Sequence, residues 1–543
     1  MRHLARPSRW TLNYSHIAFC ILLICIIVAW IEQLPSSTLE DNDAFDYAQM
    51  GRQIRLGKGF STLHLFPRQI PYLYSHGYLK TELAPNLYRF PLTPLANAAT
   101  QLLVPDPERA AVVQSGVWFL LSVLLAYLLA LEFGTPSIAL LCAAAYALQT
   151  SSWSTAFNGL TESLATLLTL AVIYLTFSTQ PSRVRAIALG AACGLAYLCR
   201  SQLAFLLPWS LLFFWLSTKG LRRGILVPLV LVGACVVLAP WLLRNFIITG
   251  SPFFSFFTTS GLVLYTEWPN SFSDIEFQLH APVALTDVLG QYGGAILLKV
   301  FHNIWPNILN PIALTTNRES AASLTMSVLG LVFILFHDRN HELIRFRRFL
   351  VGTLLLVIVN FCISSLVSRD PRLYVELNPV IIIAGVQSMV LMISVLGKRN
   401  GQRVGTGLYM LAISICAIFL IIRIGTHQVT SSLDKESYRF FATSVAGKGT
   451  VASDDSSKIA LYAGMQSIRL PSNPSELFEI SERYIPIDYV ILSARLIRES
   501  QSTANQEREF GRYVPVRTSS EFLTRYTFVG VLPNGAELYY TQR

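Results

Sequence analysis

The chain has 543 residues, of which 52% are hydrophobic and only 14% are charged, and its mean hydropathy is +0.47. Soluble domains carry about 25% charged residues, so this composition excludes an ordinary soluble enzyme and indicates a polytopic membrane protein. The net charge of +10 does not indicate nucleic-acid binding, because most Lys and Arg residues lie in short loops between apolar runs, where they orient helices.

The long apolar runs predict an all-α membrane fold of about 11–13 transmembrane helices. Runs near 17–24 residues are long enough to cross the hydrocarbon core of a bilayer. We predict such helices at 16–34, 111–133, 136–152, 161–177, 184–200, 202–217, 225–248, 321–337, 348–367, 375–396 and 405–424. The segment 289–313 is expected to add one or two more.

The loops between these runs predict the orientation of the chain. Lys and Arg are concentrated near the amino terminus and at 183–185, 219–223, 339–348 and 398–403. Cytoplasmic loops carry this excess, so we expect a multi-pass plasma-membrane protein with its amino terminus in the cytoplasm. The polar segments 35–110 and 249–320 and the chain after residue 425 then share the outer face.

The chain from residue 430 onward changes character and predicts a small α/β domain outside the membrane. Short β-branched runs alternate there with stretches of helical pattern. Strands are expected at Thr450–Ala452, Tyr489–Leu492, Tyr526–Leu532 and Glu537–Tyr540, and helices at Ser457–Ala463 and Pro474–Arg483. The prediction is therefore a membrane domain, 1–429, followed by an extracytoplasmic domain, 430–543.

The stretch EDNDAFDYAQMGRQIRLGKGF, residues 40–60, places four carboxylates just beyond the first apolar run. The pattern is compatible with a helix that starts near Asn42 and stops at the glycines after Leu56. Asp43 then has a structural interpretation as an N-cap, with Asp46 completing something like a capping box. Because a cap needs only one short polar residue, capping does not account for so dense a cluster, and a catalytic role stays open beside it.

This stretch resembles the first outer loop of the GT-C superfamily of integral-membrane glycosyltransferases, in particular the branch of protein O-mannosyltransferases and aminoarabinose transferases. The family has an Asp four residues before a Tyr and a G-x-G-F-like ending, which here are Asp43–Tyr47 and Gly57–Phe60. Further elements follow in the family's order: YRFPLTPL at 88–95, FNGLTE at 157–162, GLAYLCR at 194–200, PWLLRNFIITGSPF at 240–253 and RDPRLYVELNP at 369–379. The resemblance covers most of residues 16–400.

Two departures from the family's pattern leave alternatives open. An extra residue, Leu373, separates Arg372 from Tyr374, so the arginine that matches the family's late R-Y pattern is not fixed. Asp41 lies two residues before Asp43 and is the alternative catalytic carboxylate.

The predicted topology places several further charged residues at the same face as Asp43. They are Arg89 in the first outer loop, Glu162 at a helix start, Arg200 and Arg244 at helix ends, and Arg372 before a helix. Ionisable groups at membrane depth tend to face cavities or partners, which predicts an outer pocket with an acidic and a basic wall. Each also has an ordinary alternative, such as arginines that snorkel to lipid headgroups or a glutamate that balances a helix dipole.

The resemblance implies an inverting transfer of a sugar from a polyprenyl phosphate to a hydroxyl group of a glycan, lipid or protein at the outer membrane face. Asp43 is the expected general base. Arg244 and Arg372 are expected on the lipid phosphate, because a planar guanidinium matches phosphate oxygens. The remaining candidates are Asp46 and Glu162 for orienting hydroxyls, Arg89 and Arg200 for substrate binding, and Tyr47 and Tyr374 for packing against a ring.

The expected partners are the lipid-linked sugar, its acceptor and membrane lipids, without nucleic acid. His64, His76 and Glu82 leave a divalent metal possible, although no fixed ligand spacing supports one. A transporter is the main alternative, but it predicts ionisable residues near the midplane and repeated halves, which the sequence lacks. The other alternative is a non-catalytic protein whose membrane part anchors a domain that binds an envelope polymer.

Overall fold

A computed structural model describes residues 9–177, 182–218, 221–263, 275–313, 325, 327–332, 341–367, 371–396, 433–499 and 513–541. In these residues the chain forms a helical bundle and, mostly from its carboxyl-terminal part, a mixed sheet flanked by short helices. The predicted fold class, an all-α membrane protein with a carboxyl-terminal α/β region, is thereby confirmed. The predicted helix at 405–424, most of 321–337 and the domain boundary at 429/430 lie outside the described residues.

The helices up to residue 249 are α1 Arg9–Gln33, α2 Asn42–Arg55, α3 Gln69–Ser75, α4 Leu92–Thr100, α5 Pro107–Leu131, α6 Pro136–Leu148, α7 Thr150–Ser154, α8 Glu162–Phe177, α9 Arg183–Cys199, α10 Leu206–Ser217 and α11 Leu221–Thr249. The later helices are α12 Phe256–Val263, α13 Leu285–Ala313, α14 His341–Val367, α15 Asn378–Leu396, α16 Leu433–Ser444, α17 Ser456–Tyr462, α18 Pro474–Arg483, α19 Ala494–Glu499, α20 Tyr513–Val516 and α21 Ser520–Arg525. Turns of 3-10 helix occupy Leu34–Ser36, Ser201–Phe205, Ile275–Phe277 and Pro371–Leu377.

Five helices in the described part of the chain are long and apolar enough to cross a membrane. They are Tyr14–Ser36, Pro107–Leu131, Arg223–Thr249, Ile344–Val367 and Tyr374–Ile393. Shorter apolar helices lie at Pro136–Leu148, Glu162–Phe177 and Ser201–Ser217. In the most apolar stretch of α11, only 22% of the residues are buried inside the protein. So large an exposed apolar surface suits lipid rather than water.

Small residues allow close packing of α9 against α11. A Cβ atom at Gly190 would lie 1.8 Å from the carbonyl oxygen of Val230, and one at Gly233 would lie 2.2 Å from that of Ile187. Only glycine allows the two backbones to approach this closely, as at many helix contacts within membranes. This contact fixes α11, whose far end carries Arg244, against α9, which is followed by Arg200.

The strands are β1 Ser61–Thr62, β2 His64–Leu65, β3 Ala84–Pro85, β4 Val451–Ser453, β5 Ser467–Arg469, β6 Tyr489–Leu492, β7 Tyr526–Val531 and β8 Glu537–Thr541. A small two-stranded antiparallel sheet pairs β1 with β3, and the main sheet has the order β2-β5-β4-β6-β8-β7. Strands β2, β5, β4 and β6 are parallel, whereas β8 and β7 pair antiparallel at one edge. The other edge strand, β2, comes from the loop after α2, so this loop is part of the α/β sheet.

Polar contacts also fasten the α/β region to α2. Arg52 donates hydrogen bonds of 2.7 Å to the carbonyl oxygens of Ala460 and Leu461 in the last turn of α17. The last carbonyls of a helix have no partner within it, so a cation is favoured there. At the other end of α2, Ser457 Oγ lies 2.9 Å from Asn42 Oδ1. Both ends of α2 are therefore held by α17.

Candidate active site

Helix α2 begins at Asn42, so its N-cap is Asp41 rather than Asp43, which corrects the capping interpretation of Asp43. The side chain of Asp41 forms no capping hydrogen bond. One of its oxygens instead lies 2.6 Å from a guanidinium nitrogen of Arg372, and both side chains are nearly half exposed. Thus Asp41 occupies the N-cap position, but neither aspartate side chain caps the helix. Asp43, the base expected from the sequence, lies in the first turn of α2.

Arg89 joins two of the predicted carboxylates. Its Nη2 lies 2.6 Å from Oδ1 of Asp43, and its Nε lies 2.8 Å from Oδ2 of Asp46. The side chains of Arg89 and Asp46 are only 4% and 2% exposed, whereas that of Asp43 is 42% exposed. We call Asp43, Asp46 and Arg89 the open triad, since one of its carboxylates reaches the surface.

Asp46 is fully engaged within the open triad. Gln49 Nε2 donates to its Oδ1 at 3.1 Å, and His64 Nδ1 lies 3.5 Å from the same oxygen. Burial raises the pKa of Asp46, but His64 and Arg89 together more than offset this and hold it well below its usual range. Asp46 is therefore favoured as a carboxylate with both oxygens occupied, which suits it to orient Arg89 rather than to exchange protons.

A second arginine, Arg200, also lies between two carboxylates. Its Nη2 is 3.7 Å from Oε1 of Glu162, and its Nη1 is 3.5 Å from Oε2 of Glu376. Gln202 donates to the other oxygen of Glu376 at 2.8 Å. The side chains of Glu162 and Glu376 are 4% and 0% exposed. We call Glu162, Arg200 and Glu376 the closed triad.

Sequence reasoning missed Glu376. The one available signal was an acidic residue at the start of the predicted membrane helix 375–396, since ionisable residues in membrane segments are costly and usually functional or paired. Its partner Arg200 lies 176 residues away, so the pairing exists only in the folded chain.

Tyr47 on α2 connects the two triads. Burial raises the pKa of its hydroxyl above the usual range, and the charges of Arg89, Asp43, Arg200 and Glu162 all act on it in addition. The guanidinium carbon of Arg89 also lies 5.3 Å from the centre of its ring. The two triads therefore belong to one charged site around Tyr47.

Arg244 lies apart from both triads in its contacts. It donates to the carbonyl oxygens of Asn86 at 2.9 Å and Phe60 at 3.3 Å, and to the side chain of Asn245 at 3.0 Å. The rings of Phe60 and Trp241 flank it at 5.2 and 4.9 Å. Within the described ranges no carboxylate pairs with it, so its positive charge is not neutralised. Asn86 also accepts from the backbone N–H of Arg89, which ties Arg244 to the open triad.

The remaining predicted residues lie at the margin of this site. Arg372 pairs with Asp41, directly before the first turn of α2. Tyr374 is buried, and among the hydrogen bonds of the described residues none links it to either triad. For a metal, the described residues include no group of three or more His, Cys, Asp or Glu side chains arranged to hold one.

Comparison with known proteins gives one sequence match and several similar folds. The family described as dolichyl-phosphate-mannose-protein mannosyltransferase matches residues 89–243. ArnT from Cupriavidus metallidurans, solved bound to undecaprenyl phosphate, is 13% identical, with a TM-score of 0.57 and coverage of 96% of this chain and 97% of that one. No significantly similar sequence is found among curated proteins.

The archaeal oligosaccharyltransferase AglB from Archaeoglobus fulgidus, in complex with an inhibitory peptide and a dolichol-phosphate, has the same TM-score of 0.57. The two chains are 12% identical, and the match covers 99% of this chain and 75% of AglB. At this identity the likeness concerns the fold, and the predicted GT-C fold is confirmed. The sequence match contains Arg89, Glu162 and Arg200 and ends one residue before Arg244.

Proposed function

We propose that this chain, a multi-pass membrane protein of the GT-C glycosyltransferase fold, transfers a sugar from a polyprenyl-phosphate donor to an acceptor hydroxyl at the outer face of the plasma membrane. The amino terminus then lies in the cytoplasm. The observation that carries the proposal is the open triad, in which a buried arginine presents one half-exposed carboxylate, that of Asp43. The lipid phosphates bound by ArnT and AglB support the class of donor.

Asp43 is the general base in this proposal. Arg89 occupies its Oδ1, while within the described residues no hydrogen bond reaches its Oδ2. The acceptor hydroxyl gives its proton to Asp43 as its oxygen bonds to the anomeric carbon of the donor. Such proton transfer typically contributes about 10²–10⁴-fold to the rate. Because this is a single displacement opposite the leaving phosphate, the anomeric configuration inverts.

The bond from the anomeric carbon to the phosphate oxygen breaks in the same step, and its electrons stay on the polyprenyl phosphate. This leaving group is a weak base, so it needs positive charge rather than a general acid. Arg244 supplies that charge, since it is held by carbonyl oxygens and rings and has no carboxylate partner in the described structure. Guanidinium groups bind phosphate oxygens in pairs, which also orients the donor.

The closed triad orients the sugar. Oε2 of Glu162 is buried, and no described group hydrogen-bonds to it. An unsatisfied buried carboxylate oxygen is costly, so a donor hydroxyl that reaches it gains a strong hydrogen bond. Arg372, half exposed beside Asp41, is assigned to the rim of the site, where the lipid phosphate enters.

The test is donor cleavage by the purified protein in lipid nanodiscs. A panel of polyprenyl-phosphate sugars is incubated with membrane extract from the native host as acceptor, and released polyprenyl phosphate is measured. We expect release from at least one sugar, and we expect Arg244→Gln to raise the KM for that donor by about tenfold, the loss of one or two charge-assisted hydrogen bonds.

Arg223→Gln is the matched control, because Arg223 lies near the opposite end of the same helix, where it stacks on Trp215 at 4.0 Å. Release that is equal in the Arg244 variant and the control would contradict the assignment of Arg244. Gradient-driven uptake of a solute into vesicles, without cleavage of any donor in the panel, would instead favour a transporter.

A further inference from the structure

A separate polar crevice of about 290 Å³ lies between the α/β sheet and the start of α2. One wall consists of Glu40 and Asn42, which come from the membrane part of the chain. The other wall consists of residues that follow the strands of the sheet, among them Asp455 and Ser493. None of these residues belongs to the two triads.

The crevice lies where the order of the parallel strands reverses. The chain runs from β4 through α17 to β5 on one side of β4, and then through α18 to β6 on its other side. Asp455 follows the carboxyl end of β4, and Ser493 follows that of β6. In open α/β sheets this switch point, outside the carboxyl ends of the strands, is the place where ligands bind.

The charges around the crevice balance. Its lining holds the carboxylates of Glu40, Asp434 and Asp455 and the cations of Lys458, Arg495 and Arg498, three of each sign. Lys458 Nζ lies 2.7 Å from Asp434 and 3.3 Å from Asp455, which fixes one side of the crevice. A lining without net charge selects neither a polyanion nor a cation.

The remaining polar groups favour hydroxyls as ligands. Asn42, Asn534 and Ser493 add amide and hydroxyl groups, which bonds to Ser457, Asp434 and Asp454 hold in place, so the lining contains both donors and acceptors. A sugar hydroxyl both donates and accepts, and therefore pairs with such a mixture better than a purely anionic or apolar ligand does. The volume is at the lower end of the roughly 300–1,000 Å³ typical of ligand sites, which suits a single sugar unit.

We infer that this crevice binds a neutral, hydroxyl-rich sugar unit of the acceptor. Asn42, which lines the crevice, and Asp43 of the open triad are neighbours in the first turn of α2, so a sugar held in the crevice is bound one residue along the helix from the proposed base. That this sugar belongs to the acceptor rests on the proposed function, whereas sugar binding in the crevice does not. The proposal gives the α/β region a role in choosing what is glycosylated.

The test is saturation-transfer difference NMR on the full-length protein in detergent. The probes are the methyl glycosides of mannose, glucose, galactose and arabinofuranose, with glucuronate as the charged comparison. We expect a signal from at least one neutral glycoside. Ala494→Phe, which fills the crevice, is expected to remove it, and Arg498→Ala, which removes an exposed cation at its edge, to weaken the affinity by about tenfold.

Arg483→Ala is the control, since Arg483 is also an exposed arginine of the α/β region but lies on α18 and pairs with Glu479. A signal that both crevice variants retain, a preference for glucuronate, or no signal from any neutral glycoside overturns the inference. Donor cleavage is measured separately. Cleavage without binding in the crevice rejects only this inference, whereas binding in the crevice without cleavage rejects the transferase and leaves a sugar-binding surface.

Discussion

The open and the closed triad have the same composition, one arginine between two carboxylates, and differ in exposure. In the open triad the carboxylate of Asp43 is 42% exposed, whereas both carboxylates of the closed triad are at most 4% exposed. A buried ion cluster has a high desolvation cost and holds only while every partner stays in place. A half-exposed carboxylate can instead keep its partner on one oxygen and present the other oxygen to a substrate. The same kind of cluster therefore presents a half-exposed carboxylate in one place and is buried in the other.

The two triads also differ in what surrounds them. The closed triad comes from the membrane part of the chain. Glu162 starts α8, Arg200 follows α9, and Glu376 lies in the 3-10 turn Pro371–Leu377. The open triad is supported by the sheet as well, because His64 beside Asp46 lies on β2, which pairs with β5. The open triad thus lies where the membrane part of the chain meets the α/β sheet.

The largest expected effect is on transfer, and it comes from the exposed member of the open triad. Asp43→Asn removes the proposed base while keeping a similar shape and one hydrogen-bond acceptor for Arg89. We expect donor cleavage in nanodiscs to fall by about 10²–10⁴-fold, with the thermal midpoint of unfolding little changed.

Asp41→Asn is the matched control, since Asp41 is equally exposed, two residues away, and pairs with Arg372. Its transfer rate is expected to stay within about tenfold of the wild type, the range of losing one surface ion pair. The reverse result, with activity retained in Asp43→Asn and lost in Asp41→Asn, would assign the role of base to Asp41.

The next effect concerns stability and comes from the closed triad. Arg200→Met leaves two buried carboxylates without their cation, which costs about 3–5 kcal/mol of unfolding free energy. Arg372→Met breaks a pair whose side chains are both more than 40% exposed, worth about 0–1 kcal/mol. Reversible unfolding of both variants in detergent micelles measures the difference. Equal losses of unfolding free energy in the two variants would mean that the closed triad is accessible to water.

The sequence predicted those parts of the fold that local patterns specify. Helix α18 and strand β6 lie at their predicted bounds, because a proline follows the capping residue Asn473 and a β-branched run marks the strand. Strands β5 and β2 have only three and two residues and exist because they pair across the chain, so no local pattern reveals them. Short strands of this kind are defined by their partners.

Pairing between distant parts of the chain also limits what the sequence could predict about the site. Asp43, Asp46 and Tyr47 lie within one local motif, and the sequence indicated them together. Which of the two aspartates is buried depends on Arg89, more than 40 residues later, and was not predictable. The role of Glu376 depends on Arg200, at a still larger separation.

A smaller effect concerns the buried member of the open triad. Asp46→Asn removes a charge that Arg89 and His64 stabilise, which is expected to cost about 1.5–3 kcal/mol at neutral pH. Because folding holds the pKa of Asp46 well below its ordinary value of 3.8, this stabilisation is complete above that value and is lost as the pH falls further. The thermal midpoints of the two proteins are therefore expected to differ at pH 5 and above and to converge below about pH 4. A difference that disappears already at pH 6 would contradict the depressed pKa.

The smallest expected effect tests whether the sheet supports only the open triad. Arg52→Gln removes two hydrogen bonds to the end of α17, about 1–3 kcal/mol in total. Hydrogen exchange is expected to quicken in α2 and at residues 456–462, with Lys58→Gln, an exposed change just beyond α2, as the control. Exchange around Glu162 and Arg200 is expected to stay unchanged, because no strand of the α/β sheet contributes to that triad. If exchange quickens there too, the two triads move as one unit, and the distinction between a reactive and a supporting triad fails.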